Sequence, residues 1–118
     1  MVFIAHDFPK REKLCGKIKI ATLMKKGRWS SSGCVRFCYN EGSEEGVTRF
    51  LVSVPKRYFK RAVKRNLLKR RIREAYRLNK SLISSKNVDV MFVYVAEEVL
   101  AYSRIEADIK SALLKIAA

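Results

Sequence analysis

Residues 56–77, KRYFKRAVKRNLLKRRIREAYR, carry eleven Lys or Arg side chains against a single acid, Glu74. The chemistry open to such a segment is the holding of phosphate. Arg offers a planar fork of donors, and Lys a compact point charge. At 3.6 residues per turn Arg65, Lys69, Arg73 and Arg77 fall near one helix face, flanked by Asn66 and Arg70. Like charges at i,i+4 oppose a helix by a few tenths of a kcal/mol each, so the row does not serve helix stability. Its length of roughly 18 Å can follow several phosphates. Lys56, Arg57, Lys60 and Arg61 precede the helix and extend the positive face. Apolar residues fill the other angles, with Leu68, Ile72 and Ala75 on one flank and Val63, Leu67 and Leu78 on the other. The helix is thus expected to pack on a core with its basic face outward. A merely solvated charged helix mixes both signs, and this segment does not.

Groups able to make or break bonds are scarce. The one histidine, His6, stands near a terminus expected to be flexible over residues 1–8. No pair of acids sits among the cations; Glu74 is expected to be neutralised by Arg70 and Arg71, and Asp89 is the one acid in an apolar strand pattern. No metalloprotease or phosphate-loop motif occurs. Cys15, Cys34 and Cys38 lack C-x-x-C spacing and further partners for zinc, so they read as reduced, small hydrophobes of a cytoplasmic protein. Cys34 and Cys38, four apart in a strand pattern, are expected to share one face. Binding single-stranded nucleic acid needs aromatic platforms beside cations. Phe37 and Tyr39 on one strand face offer them, with Arg36 and Arg49 near the rim. Core packing competes for each ring, and Tyr39, whose hydroxyl tolerates water, is the preferred contact.

The elements that must position these groups follow from patterning. Length sets one domain over residues 1–118, and 48% apolar residues suffice for a core. A net charge of +15 points to RNA, DNA or an anionic membrane. The membrane is disfavoured, because no apolar run nears the roughly twenty residues of a span. The start, MVFIAHDFPK, meets Asp7 after five apolar residues and is no secretory signal. Lys17 to Lys26 reads as a helix stopped by two lysines and Gly27. Arg28 to Gly33 suggests a turn or short edge strand. Cys34 to Tyr39 alternates as a half-buried strand, residues 40–46 make an acidic turn, and Val47 to Val54 returns until Pro55 ends it. Asn79 to Asn87 is a polar connection. Val88 to Val95 is a well-buried strand. Ser103-x-x-Glu106 reads as a capping box opening a helix with Ile105, Ile109, Leu113 and Ile116 in one stripe. A strand, a helix and a further strand imply parallel pairing within an otherwise antiparallel sheet. The expected fold is an α+β sandwich, one mixed sheet carrying helices, in the order αβββαβα.

The run Ala62-Val63-Lys64-Arg65-Asn66-Leu67-Leu68-Lys69-Arg70-Arg71-Ile72-Arg73-Glu74 resembles the signature of the bacterial ribonuclease P protein subunit. Ser53-Val54-Pro55-Lys56-Arg57 resembles the strand end that precedes that signature, and the likeness extends over roughly residues 8–116. Leu67 stands where the family often has a second Arg, so phosphate binding is not carried to that position. The resemblance implies a left-handed βαβ crossover, as in one domain of a small-subunit ribosomal protein. It implies a non-catalytic subunit of an endoribonuclease whose catalyst is a large RNA that cuts precursor tRNA at the mature 5′ end. Lys56, Arg57, Lys60, Arg61, Arg65, Asn66, Lys69, Arg70 and Arg73 would bind that RNA, one protein to one RNA. A cleft between the sheet and the first helix would hold the single-stranded 5′ leader, and Phe37, Tyr39 and Arg36 are the candidates for it. Mg²⁺ would be held mainly by RNA and substrate. Composition alone leaves open a ribosomal protein, an RNA chaperone or a DNA-binding helix.

Overall fold

The computed structural model describes residues 23–41, 49–83 and 88–117. Expectations for His6, Cys15, the start of the first helix and the acidic turn lie outside those residues. Four strands form one sheet: β1 (Arg28–Ser32), β2 (Val35–Glu41), β3 (Arg49–Ser53) and β4 (Val88–Tyr94), in the order β1-β2-β4-β3. The β1–β2 and β2–β4 pairs are antiparallel and β3–β4 is parallel. Helix α1 (Ala62–Asn79), extended by a 3₁₀ turn at Lys80–Ile83, joins the parallel pair, and α2 (Tyr102–Ala117) follows β4. The α+β architecture and the mixed pairing are those expected. The segment Arg28–Ser32 takes the edge-strand alternative.

Side chains alternate across the sheet, and the two faces differ in chemistry. One face presents Val35, Phe37, Phe50, Val52, Val88, Val90, Phe92 and Tyr94 to α1 and α2 in the main core. Leu68, Ile72, Ala75 and Tyr76 come down from α1; Ile105, Ile109, Leu113 and Ile116 come from α2. The Phe50 and Tyr76 rings stack at 4.3 Å, tying β3 to the basic helix. Among the described residues the opposite face is thinly covered. There Leu23, at the end of the first helix (residues 23–26), packs on Cys38 and Met91. Gly27 closes that helix by donating to Leu23 O at 2.7 Å, and a Cβ on Gly27 would overlap Cys38 Sγ. The same face holds Arg49, 4% exposed, paired in a bidentate bridge to Asp89 across the β3–β4 register.

Three local expectations need correction. Cys34 and Cys38 do not share a face: Cys34 lies in the turn before β2 and joins the main core, whereas Cys38 faces Leu23. The even spacing holds only inside a regular strand. Burial, with a nearby Asp108 carboxylate, pushes the Cys34 thiol up to about 12, so it is inert as a thiolate. The helix α2 starts at Tyr102, one residue before the expected cap, with the Arg104 and Ile105 amides donating to Ala101 O. Glu106 instead points across to Asn79 and the Tyr102 hydroxyl. Glu74 pairs with Arg77, not with Arg70 or Arg71.

The β1–β2 turn is latched onto α2. Asp108 accepts from the Cys34 amide at 3.0 Å, its backbone carbonyl accepts from the Ser32 hydroxyl at 2.8 Å, and Arg104 braces its carboxylate. Burial alone would raise the Asp108 carboxyl. The Cys34 amide and thiol and Arg104 outweigh that and hold it below the usual carboxylate range. Gly33 makes this approach feasible. It turns with φ of 56°, and a Cβ there would overlap the Asp108 carboxylate. Gly33→Ala is therefore expected to destabilise by about 2 kcal/mol, which calorimetry would read as a lower unfolding midpoint. An unchanged midpoint would mean the turn relaxes freely.

Candidate nucleic-acid interface

The cations divide into a loop group and a helix group. The chain leaves β3 at Pro55, whose carbonyl accepts from the Tyr58 amide at 3.3 Å in a tight turn. Phe59 then buries its ring against Tyr94 at 5.9 Å, pinning the loop to the core. Around that anchor Lys56, Arg57, Lys60 and Arg61 stand exposed, and the Arg57 guanidinium lies 4.9 Å over the Tyr58 ring. Helix α1 begins at Ala62 with no side-chain cap and no acid in its first turn. An uncapped N-terminus keeps free amides and the positive end of the helix dipole beside the loop cations.

On α1 the expected stripe is not uniform. Asn66 and Arg70 are exposed, as is Lys64, which the sequence reading left out. Lys69 and Arg73 are half-buried, and burial lowers Arg73 from its ordinary value without discharging it near neutral pH. The Arg65 guanidinium donates to the Phe59 and Lys60 carbonyls, and Arg71 donates to Leu100 O. Only one of the two apolar flanks is buried. Val63, 79% exposed, and Leu78 lie in solvent with Leu67 half-covered, because α1 meets the core along Leu68, Ile72, Ala75 and Tyr76 alone. Among the described residues, none of Lys56, Arg57, Lys60, Arg61, Lys64, Lys69 and Arg70 is in a salt bridge. Glu74, the one acid of the segment, is already paired to Arg77, so among the described residues these cations have no carboxylate partner.

The aromatic candidates fare differently. Phe37 is fully buried between Tyr39 and Phe92 on the helix-covered face, so it cannot touch a ligand in the folded chain. Tyr39 is half-buried and packs on the same core. Arg36 lies on the opposite, thinly covered face. The sequence reading placed these three in one cleft; strand alternation separates them. Arg49 also leaves the rim, being paired with Asp89. The ring that does stand beside Arg36 is Trp29. It is 38% exposed on β1, one strand over, and the Arg36 guanidinium lies 4.8 Å from its centroid. The signal was present, since Trp29 is the one tryptophan and Arg28 adjoins it. It was passed over because segment 28–33, read as a turn or short edge strand, is otherwise small and polar. Trp29 Nε1 is directed to Met24 O at 3.5 Å, so the ring borders the end of the first helix.

The sequence and fold of this chain are similar to those of known proteins. The family model described as Ribonuclease P matches residues 8–117. The chain belongs to the ribonuclease P protein family. A ribonuclease P protein component from Porphyromonas gingivalis is 36% identical over 116 residues, covering 92% of this chain and 85% of its own. The structure of a Staphylococcus aureus RNase P protein mutant with defective mRNA degradation activity superposes with a TM-score of 0.80. It is 24% identical, and the match covers 99% of this chain and 96% of that one. The RNase P protein from Thermotoga maritima gives 0.77 at 21% identity, over 89% and 97%. Those two likenesses establish a shared fold, and the family match places the chain in tRNA processing.

Proposed function

We propose that this chain is the RNA-binding subunit of a ribonuclease P ribonucleoprotein. It binds the catalytic RNA through Lys56, Arg57, Lys60, Arg61, Lys64, Asn66, Lys69, Arg70 and Arg73. The observation that carries this reading is the run of exposed, unpaired cations from the β3–α1 loop along α1. A-form RNA presents a regular phosphate backbone that such a run can track without reading bases. Binding releases counterions, so affinity falls steeply with salt. Titrating a bacterial ribonuclease P RNA at several salt concentrations tests this. A steep negative slope supports it, and an affinity insensitive to salt contradicts it.

The thinly covered sheet face, with Trp29 and Arg36, is proposed to take the single-stranded 5′ leader of precursor tRNA. A base can stack on the exposed indole while Arg36 meets a phosphate, each stack being worth about 1–3 kcal/mol. Trp29→Ala should lower affinity of the reconstituted complex for leader-bearing precursor by about tenfold while sparing mature tRNA. Equal losses on both ligands would remove Trp29 from the leader path.

The chemistry in this reading belongs to the RNA, in the cytoplasm, with one protein per RNA. Mg²⁺ is needed at the scissile phosphate. Among the described residues no three His, Cys, Asp or Glu side chains gather to hold a metal ion, and Asp89, Glu74 and Asp108 are each paired to a guanidinium. The described residues do not make a self-contained Mg²⁺ site. Its part is to neutralise phosphate and hold substrate, so that RNA-bound ions suffice at lower concentration. No helix among the described residues is long and apolar enough to cross a membrane.

A further inference from the structure

Arg65 sits half-buried at the centre of the cationic surface, with its guanidinium engaged by the protein's own backbone. Its Nη1 donates at 2.7 Å to both the Phe59 and the Lys60 carbonyls. Those two carbonyls precede the first acceptor of α1, which is Arg61 O, bonded to the Arg65 amide at 3.3 Å. Among the described residues no helical N–H bonds to either of them. The loop they belong to places four cations within six residues, Lys56 to Arg61, with no acid among them. Mutual repulsion favours spreading such a loop, and Arg61 has an extended backbone (φ −81°, ψ 127°) with no cap to fix it. Its ties are the Pro55–Tyr58 turn, the buried Phe59 ring and the Arg65 bridge. The Arg61 O–Arg65 N bond joins the loop's last residue to the helix that carries Lys64, Asn66 and Arg70, and the bridge extends that tie back to Phe59 and Lys60.

We propose that Arg65 is a positioning residue: by bridging the Phe59 and Lys60 carbonyls it locks the Lys56–Arg61 loop to α1. Loop and helix cations then form one preorganised phosphate-tracking surface. The inference rests on the reading of that surface as the RNA interface, and it reassigns a side chain that the sequence places among the phosphate contacts. Preorganisation raises affinity because fewer side chains must be ordered on binding.

The test combines a binding cycle with two observations on the protein itself. Arg65→Met keeps the half-buried stem and removes the donors. In the otherwise native chain it should weaken binding of a bacterial ribonuclease P RNA by about tenfold. In a chain whose Lys56, Arg57, Lys60 and Arg61 are all Ala, the same substitution should have little further effect, because no loop cations remain to be positioned. An equal loss in both backgrounds would make Arg65 a direct phosphate contact and overturn the proposal. Amide hydrogen exchange of the free protein should speed up at residues 57–62 in Arg65→Met and not in Arg70→Ala; unchanged exchange would also overturn it. Should Arg65→Met fail to fold, the native protein still decides. On adding a short A-form RNA duplex, the guanidinium resonances of Arg70 should shift and those of Arg65 stay in place, whereas a large Arg65 shift contradicts the proposal. If neither Arg70→Ala nor the four-Ala chain weakens binding, the RNA interface itself is misassigned, which is a separate failure.

Discussion

Arg70→Glu is expected to weaken binding to the catalytic RNA by ten- to a hundredfold, corresponding to about 1.4–2.7 kcal/mol. Arg70 is exposed near the middle of the outward face of α1, and among the described residues nothing pairs with it. Its full charge and its forked donors are therefore available to phosphate, and a charge-assisted contact of that type is worth roughly 1.5–3 kcal/mol. Reversal removes the contact and sets a carboxylate against the RNA backbone. The slope of log affinity against log salt should fall by about one or more, since at least one phosphate is no longer neutralised. Lys110→Glu on α2, also exposed, changes net charge equally but lies off the proposed surface, and it should leave affinity nearly unchanged. Equal effects of the two reversals would mean that net charge, not this helix face, governs binding.

The second large effect concerns stability. Asp89→Ala is expected to lower stability by about 3 kcal/mol, because the buried Arg49 guanidinium loses its bidentate carboxylate. The bridge is bidentate, at 2.8 and 2.7 Å, and joins opposed residues of the parallel pair β3–β4. That pair frames the connection through the basic loop and α1, so its loosening should disturb the RNA surface as well. For a chain of 118 residues, 3 kcal/mol corresponds to a fall in unfolding midpoint on the order of 12 °C. The double change Arg49→Met with Asp89→Leu should recover much of the loss, since an apolar pair leaves no unpaired charge. A midpoint unmoved by Asp89→Ala would show that Arg49 finds other compensation.

Alternation and helical spacing were enough to read the mixed sheet, the apolar run of β4 and the buried stripe of α2, because each buries a repeating face. The same alternation, applied to Phe37 and Arg36, already put them on opposite faces; assigning both to one cleft contradicted it. Trp29 was missed because a short Ser-rich edge strand has little hydrophobic signal of its own. The bridge from Arg65 to the Phe59 and Lys60 carbonyls was not legible at all. A helical wheel gives a side chain's angle, but not which backbone carbonyls upstream of the helix need a donor. Asp89 illustrates the same limit: its partner, Arg49, lies forty residues away in sequence and is set by strand register.

In the proposed function this chain serves a catalytic RNA in removing the 5′ leader. Reconstitution tests it most directly: the protein is added to a bacterial ribonuclease P RNA at low Mg²⁺, and cleavage of a precursor tRNA is followed. Protein-dependent cleavage at the mature 5′ end, weakened by Arg70→Glu, is the predicted result. Tight binding of the RNA without any stimulation of cleavage would contradict the claim.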